Sequence, residues 1–440
     1  MTMSYRQPGA GMPTRQVSTG QSARIVLPET GHLLGAGITL FAFTPVIAMM
    51  SGLANSVVYT AGLGAVALFA FVSLAIGYRV QAIRPTAGHI GLLLLLLLMA
   101  TRMPSLDTDE QWEALLSVAL SAAMVIAAHF ASAEKVLKGV VWTVVLLGIV
   151  TALYTNYDPN YVQARVAGWG AEDVKLLYTM TAVPVAAAIG PAVLGMRAQK
   201  SWPKRIALGL LALFLTYSLS TILARTALLT GLAALFLAAI YGLKRTGFNR
   251  LMTALRTGAI ALPLLPFVFL AVLDSNSFLM RRFSRMLNPQ AEMNESGRGY
   301  LWSTAWEMFL ERPGWGWGIH GAESALGIYP HQAFLEAMAD LGLLGGFAIA
   351  AIVFSFLFSL ARVVLRETSA YVLAIHLIAF IPVIESMKAS SLYLSRPFLI
   401  LAILAPLLSY EMLRDARKEK AAPRQRRPYG FRYGAVPLRR

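Results

Sequence analysis

Apolar runs of membrane-spanning length recur along this chain from about residue 33 to about residue 411, and they leave few folds open to it. Twelve are expected, at roughly 33–51, 53–77, 88–101, 114–130, 136–154, 176–196, 206–222, 226–243, 257–274, 341–361, 369–386 and 392–411. About 20 helical residues cross about 30 Å of hydrocarbon, and interfacial residues extend a shorter run. Lipid offers no partners to backbone N–H and C=O groups, so each run reads as a helix. The expected fold class is all-α and polytopic, with about 12 transmembrane helices.

The basic residues sort between alternate gaps. With the N-terminus placed in the cytoplasm, 27 of the 38 Lys and Arg fall on the cytoplasmic side and 11 on the other. The cytoplasmic set includes Arg79 and Arg84, Lys135 and Lys138, Arg197 to Arg205, Lys244 to Arg256, and Arg362 and Arg366. The loop around Asp107, Asp109 and Glu110 falls outside and is acidic. This is the positive-inside pattern, repeated gap after gap, and it puts both termini in the cytoplasm.

The formal net charge of +16 therefore needs no nucleic acid to explain it. Ten basic residues follow Tyr410, among them Arg424, Arg426 and Arg427. They read as a disordered tail that fixes topology, with binding to anionic lipid or a partner as the alternative. No Cys is present, which excludes disulfides and thiolate metal sites. The N-terminal segment is polar, carries Arg6, Arg15 and Arg24, and is expected to be disordered. The apolar run after it continues straight into the next, and reads as an uncleaved first span. The division expected is a cytoplasmic tail at 1–31, a transmembrane domain at 32–411 and a basic cytoplasmic tail at 412–440.

Two gaps on the outer side are too long to be turns, at about 155–175 and about 275–340. A structureless loop of the second length is uncommon unless it is functional. Within it, Tyr300 to Leu310 has a helical pattern with Leu301, Ala305, Met308 and Phe309 on an apolar side, ending at Arg312-Pro313. Next comes GWGWGIHG, Gly314 to Gly321, whose glycines allow sharp turns and whose Trp315 and Trp317 suit a membrane interface. Pro330 is placed to open another helix, PHQAFLEAMADLG, with His331 in its first turn. His331 is the candidate base; His320 in the turn and His376 within a span are poorer ones.

Arginine on the outer side works against topology and needs another reason. Arg165 lies in the first long loop, and Arg225 in a short outer turn where it either snorkels or faces the bundle interior. Arg281, Arg282, Arg285 and Arg298 precede the Tyr300 helix. Together they are expected to form a basic pocket just above the membrane. The guanidinium fork suits phosphate, so a lipid-linked diphosphate at the outer face matches it. No His pair has metal spacing, and no nucleotide-binding glycine pattern is present.

These elements resemble the O-antigen ligase and polysaccharide polymerase family of the bacterial inner membrane. The family's late periplasmic loop runs from an Arg to a Trp, a Pro-Gly-x-Gly stretch, His-Asn-x-x-Leu and a Gly-x-x-Gly entry into the next helix. Here they stand as Arg298, Trp302, Pro313-Gly314-Trp315-Gly316, His331-Gln332-Ala333-Phe334-Leu335, then Gly342 and Gly345. Arg165 with Gly168, and Ser218 and Ser220 with Arg225, match its earlier motifs. One departure is Gln332 where the family has Asn.

The resemblance implies a C-type glycosyltransferase-like fold and a metal-independent, inverting glycosyl transfer at the periplasmic face, with no cofactor. The donor would be an undecaprenyl-diphosphate-linked glycan and the acceptor a glycan or the lipid A core. His331 would take the acceptor's proton, Arg165 and Arg225 would hold the diphosphate, and Arg281, Arg285, Arg298, Gln332, Trp315 and Trp317 would line the donor and acceptor sites. The segment IESMKASSLYLSRPF, 384–398, resembles exopolysaccharide polymerases and tilts the reading to a polymerase over an O-antigen ligase. A transporter or flippase is the rival from another class. Against it stand the asymmetric late loop and the absence of visible duplication between the halves.

Overall fold

The computed structural model describes residues 30–51, 85–166, 172–222, 224–241, 298–365, 369–388, 390–393 and 395–421. The described residues form helices and connecting turns, with no strand among them. In chain order the helices are α1 (Thr30–Ala42), α2 (Thr44–Ser51), α3 (Ala87–Ala100), α4 (Asp109–Ala127), α5 (Ala133–Tyr157), α6 (Pro159–Val166) and α7 (Glu172–Ala198). There follow α8 (Trp202–Ile222), α9 (Arg225–Ile240), α10 (Arg298–Glu311), α11 (Gly321–Leu326), α12 (Ala333–Leu365), α13 (Ala370–Lys388) and α14 (Arg396–Ala421).

Among the described residues, 7 helices are long and apolar enough to cross a membrane, or 8 if α1 and α2, bent by 74°, form one span. This count overturns the expectation of about twelve, and the C-type glycosyltransferase likeness goes with it. The runs at 114–130, 136–154, 176–196, 206–222, 341–361, 369–386 and 392–411 do become candidate spans. The run at 88–101 yields only 14 helical residues and that at 226–243 only 16. At 1.5 Å per residue, such helices reach only about 21–24 Å. The runs at 53–77 and 257–274 lie outside the described residues.

The run at 33–51 breaks for a local reason. Pro45 has no N–H to continue the helix, and its ring crowds the preceding turn. The Thr44 hydroxyl donates instead to the Phe41 carbonyl at 2.7 Å. The last helix, by contrast, continues past the boundary set at 411 to Ala421.

Helix α5 is central and packs against α1, α7, α8 and α13. Its Val136, Val140 and Val144 recur at one face and are fully buried. Gly35 and Gly139 let α1 and α5 cross closely: a Cβ on Gly139 would meet the His32 carbonyl at 2.3 Å. Small residues serve helix contacts in lipid, where apolar burial gives little drive to associate. The outward faces carry Leu93, Leu97, Trp142, Leu146, Phe354 and Phe358, all exposed. Hydrocarbon is the solvent that accepts such a surface. The chain is a multi-pass helical membrane protein.

Contacts fix which loops share an end. Arg102 donates to the Trp315 carbonyl, and Gln111 Nε2 donates to the Ile319 carbonyl at 3.1 Å. Ser117 Oγ donates to the Tyr393 carbonyl at 3.4 Å. Asn156 Nδ2 donates to Ser218 Oγ at 2.8 Å, joining the ends of α5 and α8. The turns that follow α3, α5, α8, α10 and α13 therefore gather at one end of the bundle. At the opposite end Arg197 Nη1 donates to the carbonyls of Ala238 and Ala239, and Lys138 Nζ lies 5.7 Å from the centre of the Tyr371 ring.

Candidate active site

The late loop is built on α10. Its Leu301, Ala305, Met308 and Phe309 are buried, as their spacing predicts. Pro313 follows its end. Trp302 Nε1 then donates to the Pro330 carbonyl at 3.0 Å, which holds α10 beside His331.

The Gly-Trp turn docks on a kink in α12. Gly342 stands at φ 72° and ψ −163°, which breaks the helical ladder there. Orphaned backbone groups must find other partners. Trp317 N–H donates to the Ala339 carbonyl at 2.9 Å and Gly318 N–H to the Asp340 carbonyl at 2.8 Å. Leu343 N–H donates to the Pro313 carbonyl at 2.8 Å. The fit is backbone against backbone: a Cβ on Gly316 would meet the Asp340 carbonyl at 2.4 Å, and one on Gly342 the Gly314 carbonyl at 2.6 Å.

The helix expected to open at Pro330 opens at Ala333. Gln332 caps it: the side-chain oxygen accepts from Leu335 N–H, and the backbone carbonyl from Glu336 N–H at 3.0 Å. A cap residue leaves its predecessor free of helical geometry, and His331 takes φ 58°. His320 takes φ 59°, and these two are the non-glycine residues at positive φ among those described. Such backbone costs about 1–2 kcal/mol, and sites of function are where it collects. The His331 ring lies edge-on to Tyr329, centroids 4.3 Å apart. His320 Nδ1 is 2.5 Å from Glu323 Oε2, and its ring lies 4.7 Å from that of Tyr393.

Beneath the loop, α12 carries two buried carboxyls. Glu336 Oε1 accepts from the Ser391 hydroxyl and Oε2 from Leu392 N–H, each at 2.7 Å. Asp340 Oδ1 accepts from Ala322 N–H at 2.7 Å and Oδ2 from the Tyr393 hydroxyl at 2.9 Å. Burial pushes the Tyr393 phenol well above its usual pKa, with the Asp340 and Glu336 carboxyls adding to the effect. Tyr393 thus stays a donor. The two acids tie the late loop to the segment before α14.

Residues 205–350 match the family model described as O-antigen ligase. A search of curated proteins finds no match. Over this stretch, about a third of the chain, the protein is related to the O-antigen ligase family. The match runs from α8 into α12, so it takes in Arg225, α10, the Gly-Trp turn, His331 and the Gly342 kink.

The structure brings Arg298, Trp315, Trp317, His331 and Gln332 to one end of the bundle. Arg298 opens α10 and is half-buried. Trp317 acts as a staple: its indole N–H donates to the Met308 carbonyl at 2.8 Å, and the Arg312 guanidinium stands 3.8 Å from its ring centre. Trp315 is 62% exposed. Arg165 lies in α6 and Arg225 opens α9, at this same end by connectivity; their side chains, and Arg281, Arg282 and Arg285 entirely, lie outside the described set. His376 makes the internal contacts of a core residue, donating from Nδ1 to the Val372 carbonyl and meeting Ser359 Oγ, both at 2.8 Å. Among the described residues no group of three His, Asp or Glu is arranged to hold a metal.

Glu336, Asp340 and Tyr393 were missed as site residues by the sequence reading. A signal existed for the acids, since carboxyls four apart at the head of an apolar run face a protein interior rather than lipid. Tyr393 gave no comparable signal.

Proposed function

We propose that this protein transfers a glycan from undecaprenyl diphosphate to a sugar hydroxyl at the periplasmic face of the bacterial inner membrane. The observation that carries the reading is that the stretch matching O-antigen ligase contains His331, held at positive φ between Tyr329 and the Gln332 cap. The sorting of basic residues supports the periplasmic placement.

The chemistry follows from the groups present. The acceptor oxygen attacks the anomeric carbon as the bond to the diphosphate oxygen breaks. His331 takes the acceptor's proton, since imidazole exchanges protons near neutral pH. Arg165 and Arg225 neutralise the departing diphosphate. Displacement from the opposite face inverts the anomeric carbon. The lipid carrier reaches this end of the bundle from the outer leaflet.

The family description favours a ligase, with the lipid A core as acceptor, over the polymerase preferred from the sequence. The polymerase stands as a second reading on the segment 384–398. The test is purified protein in liposomes with lipid-linked donor, offered lipid A core and a lipid-linked repeat unit. Glycan on the core supports the ligase, and a lengthened repeat supports the polymerase. Donor crossing the bilayer with no new glycosidic bond would make the protein a transporter.

A further inference from the structure

Glu385, in the last turn of α13, is only 5% exposed, yet among the described residues its Oε1 accepts no hydrogen bond. A buried carboxyl oxygen without a donor is uncommon and costs about 1–3 kcal/mol. Two positive charges act on it, Lys388 three residues along the same helix and Arg298 at the start of α10. Neither closes an ion pair with it among the described residues. Arg298 lies four residues before Trp302, on the same face of α10. Trp302 in turn is bonded to the Pro330 carbonyl, next to His331. The unfilled carboxyl thus belongs to the His331 end of the bundle.

A carboxyl and two cations set apart from one another suit a ligand that both donates and accepts. Sugar hydroxyls do both: they donate to a carboxylate and accept from guanidinium and ammonium. A diphosphate fits worse, because it brings acceptor oxygens and no hydroxyl to donate to the Glu385 carboxyl. We propose that Glu385, with Arg298 and Lys388, binds hydroxyls of the acceptor sugar and so selects the acceptor. This rests on the glycosyl-transfer reading above.

The experiment is ligand-observed NMR on full-length protein in nanodiscs. The probes are the core oligosaccharide and the repeat-unit oligosaccharide, each freed of its lipid. Wild type should bind one of them, and Glu385→Gln should weaken that binding at least about tenfold with undecaprenyl diphosphate binding unchanged. Lys388→Gln, at a partly exposed position, should weaken it in the same direction and keeps the test sound if the Glu385 variant misfolds. Equal binding by wild type and a folded variant, or binding of neither sugar by wild type, would overturn the proposal. Sugar binding without any glycan transfer by wild type would instead count against the transfer reading alone.

Discussion

The Tyr393 hydroxyl donates to Asp340 Oδ2 across 2.9 Å, and through that bond the segment before α14 holds the kinked head of α12. Tyr393→Phe keeps the ring against His320 and deletes one donor. Asp340 keeps the Ala322 N–H on Oδ1 and loses the Tyr393 donor on Oδ2. The expected cost is about 1–3 kcal/mol. Thermal unfolding in detergent measures it, and an unchanged midpoint would remove Tyr393 from the fold's support.

Gly342→Ala should be far more damaging. It forces a side chain onto a φ of 72° and into the Gly314 carbonyl. A φ of 72° with ψ −163° falls in a region essentially confined to glycine, and that backbone alone costs about 1–3 kcal/mol. Gly314→Ala is the control, since nothing lies within 4 Å of the Cβ it would add. Yields of monodisperse protein after purification should fall for the first and hold for the second.

Gln332 should be replaceable by Asn and not by Ala. Asn is a preferred helix cap, whereas Ala leaves the Leu335 N–H without its acceptor, for about 0.5–2 kcal/mol. Unfolding midpoints should order as Asn equal to or above Gln, with Ala lowest. Ala matching Gln would show that the cap contributes nothing.

Much of this loop was legible in the sequence, and for stated reasons. The apolar side of α10 follows from spacing alone, and Leu301, Ala305, Met308 and Phe309 are all buried. The start of α12 was misplaced because Pro330 satisfies one rule for helix starts while Gln332, a weaker signal, supplies the actual cap. The docking of Gly316 on Asp340 was not legible, because a backbone-to-backbone contact leaves no side-chain pattern. The span count failed for a related reason. Apolar length does not reveal a break such as the one at Pro45, nor a helix that stops after 14 residues.

The orientation makes a separate prediction. The chain has no Cys, so single cysteines report cleanly. Ser303 in α10 and Ser201 between α7 and α8 are both exposed, at opposite ends of the bundle. On intact spheroplasts an impermeant thiol reagent should label Ser303→Cys and spare Ser201→Cys. The reverse pattern would put the site in the cytoplasm.

The central claim is that His331 takes the acceptor's proton. Its most direct measurement is the single-turnover rate of glycan transfer by purified His331→Ala, with donor and acceptor both saturating. The account predicts a fall of at least about 100-fold, within the range general-base catalysis contributes. Donor binding and unfolding midpoint should stay as in wild type, and His320→Ala should lose less. Transfer by His331→Ala at a near-normal rate would contradict the account.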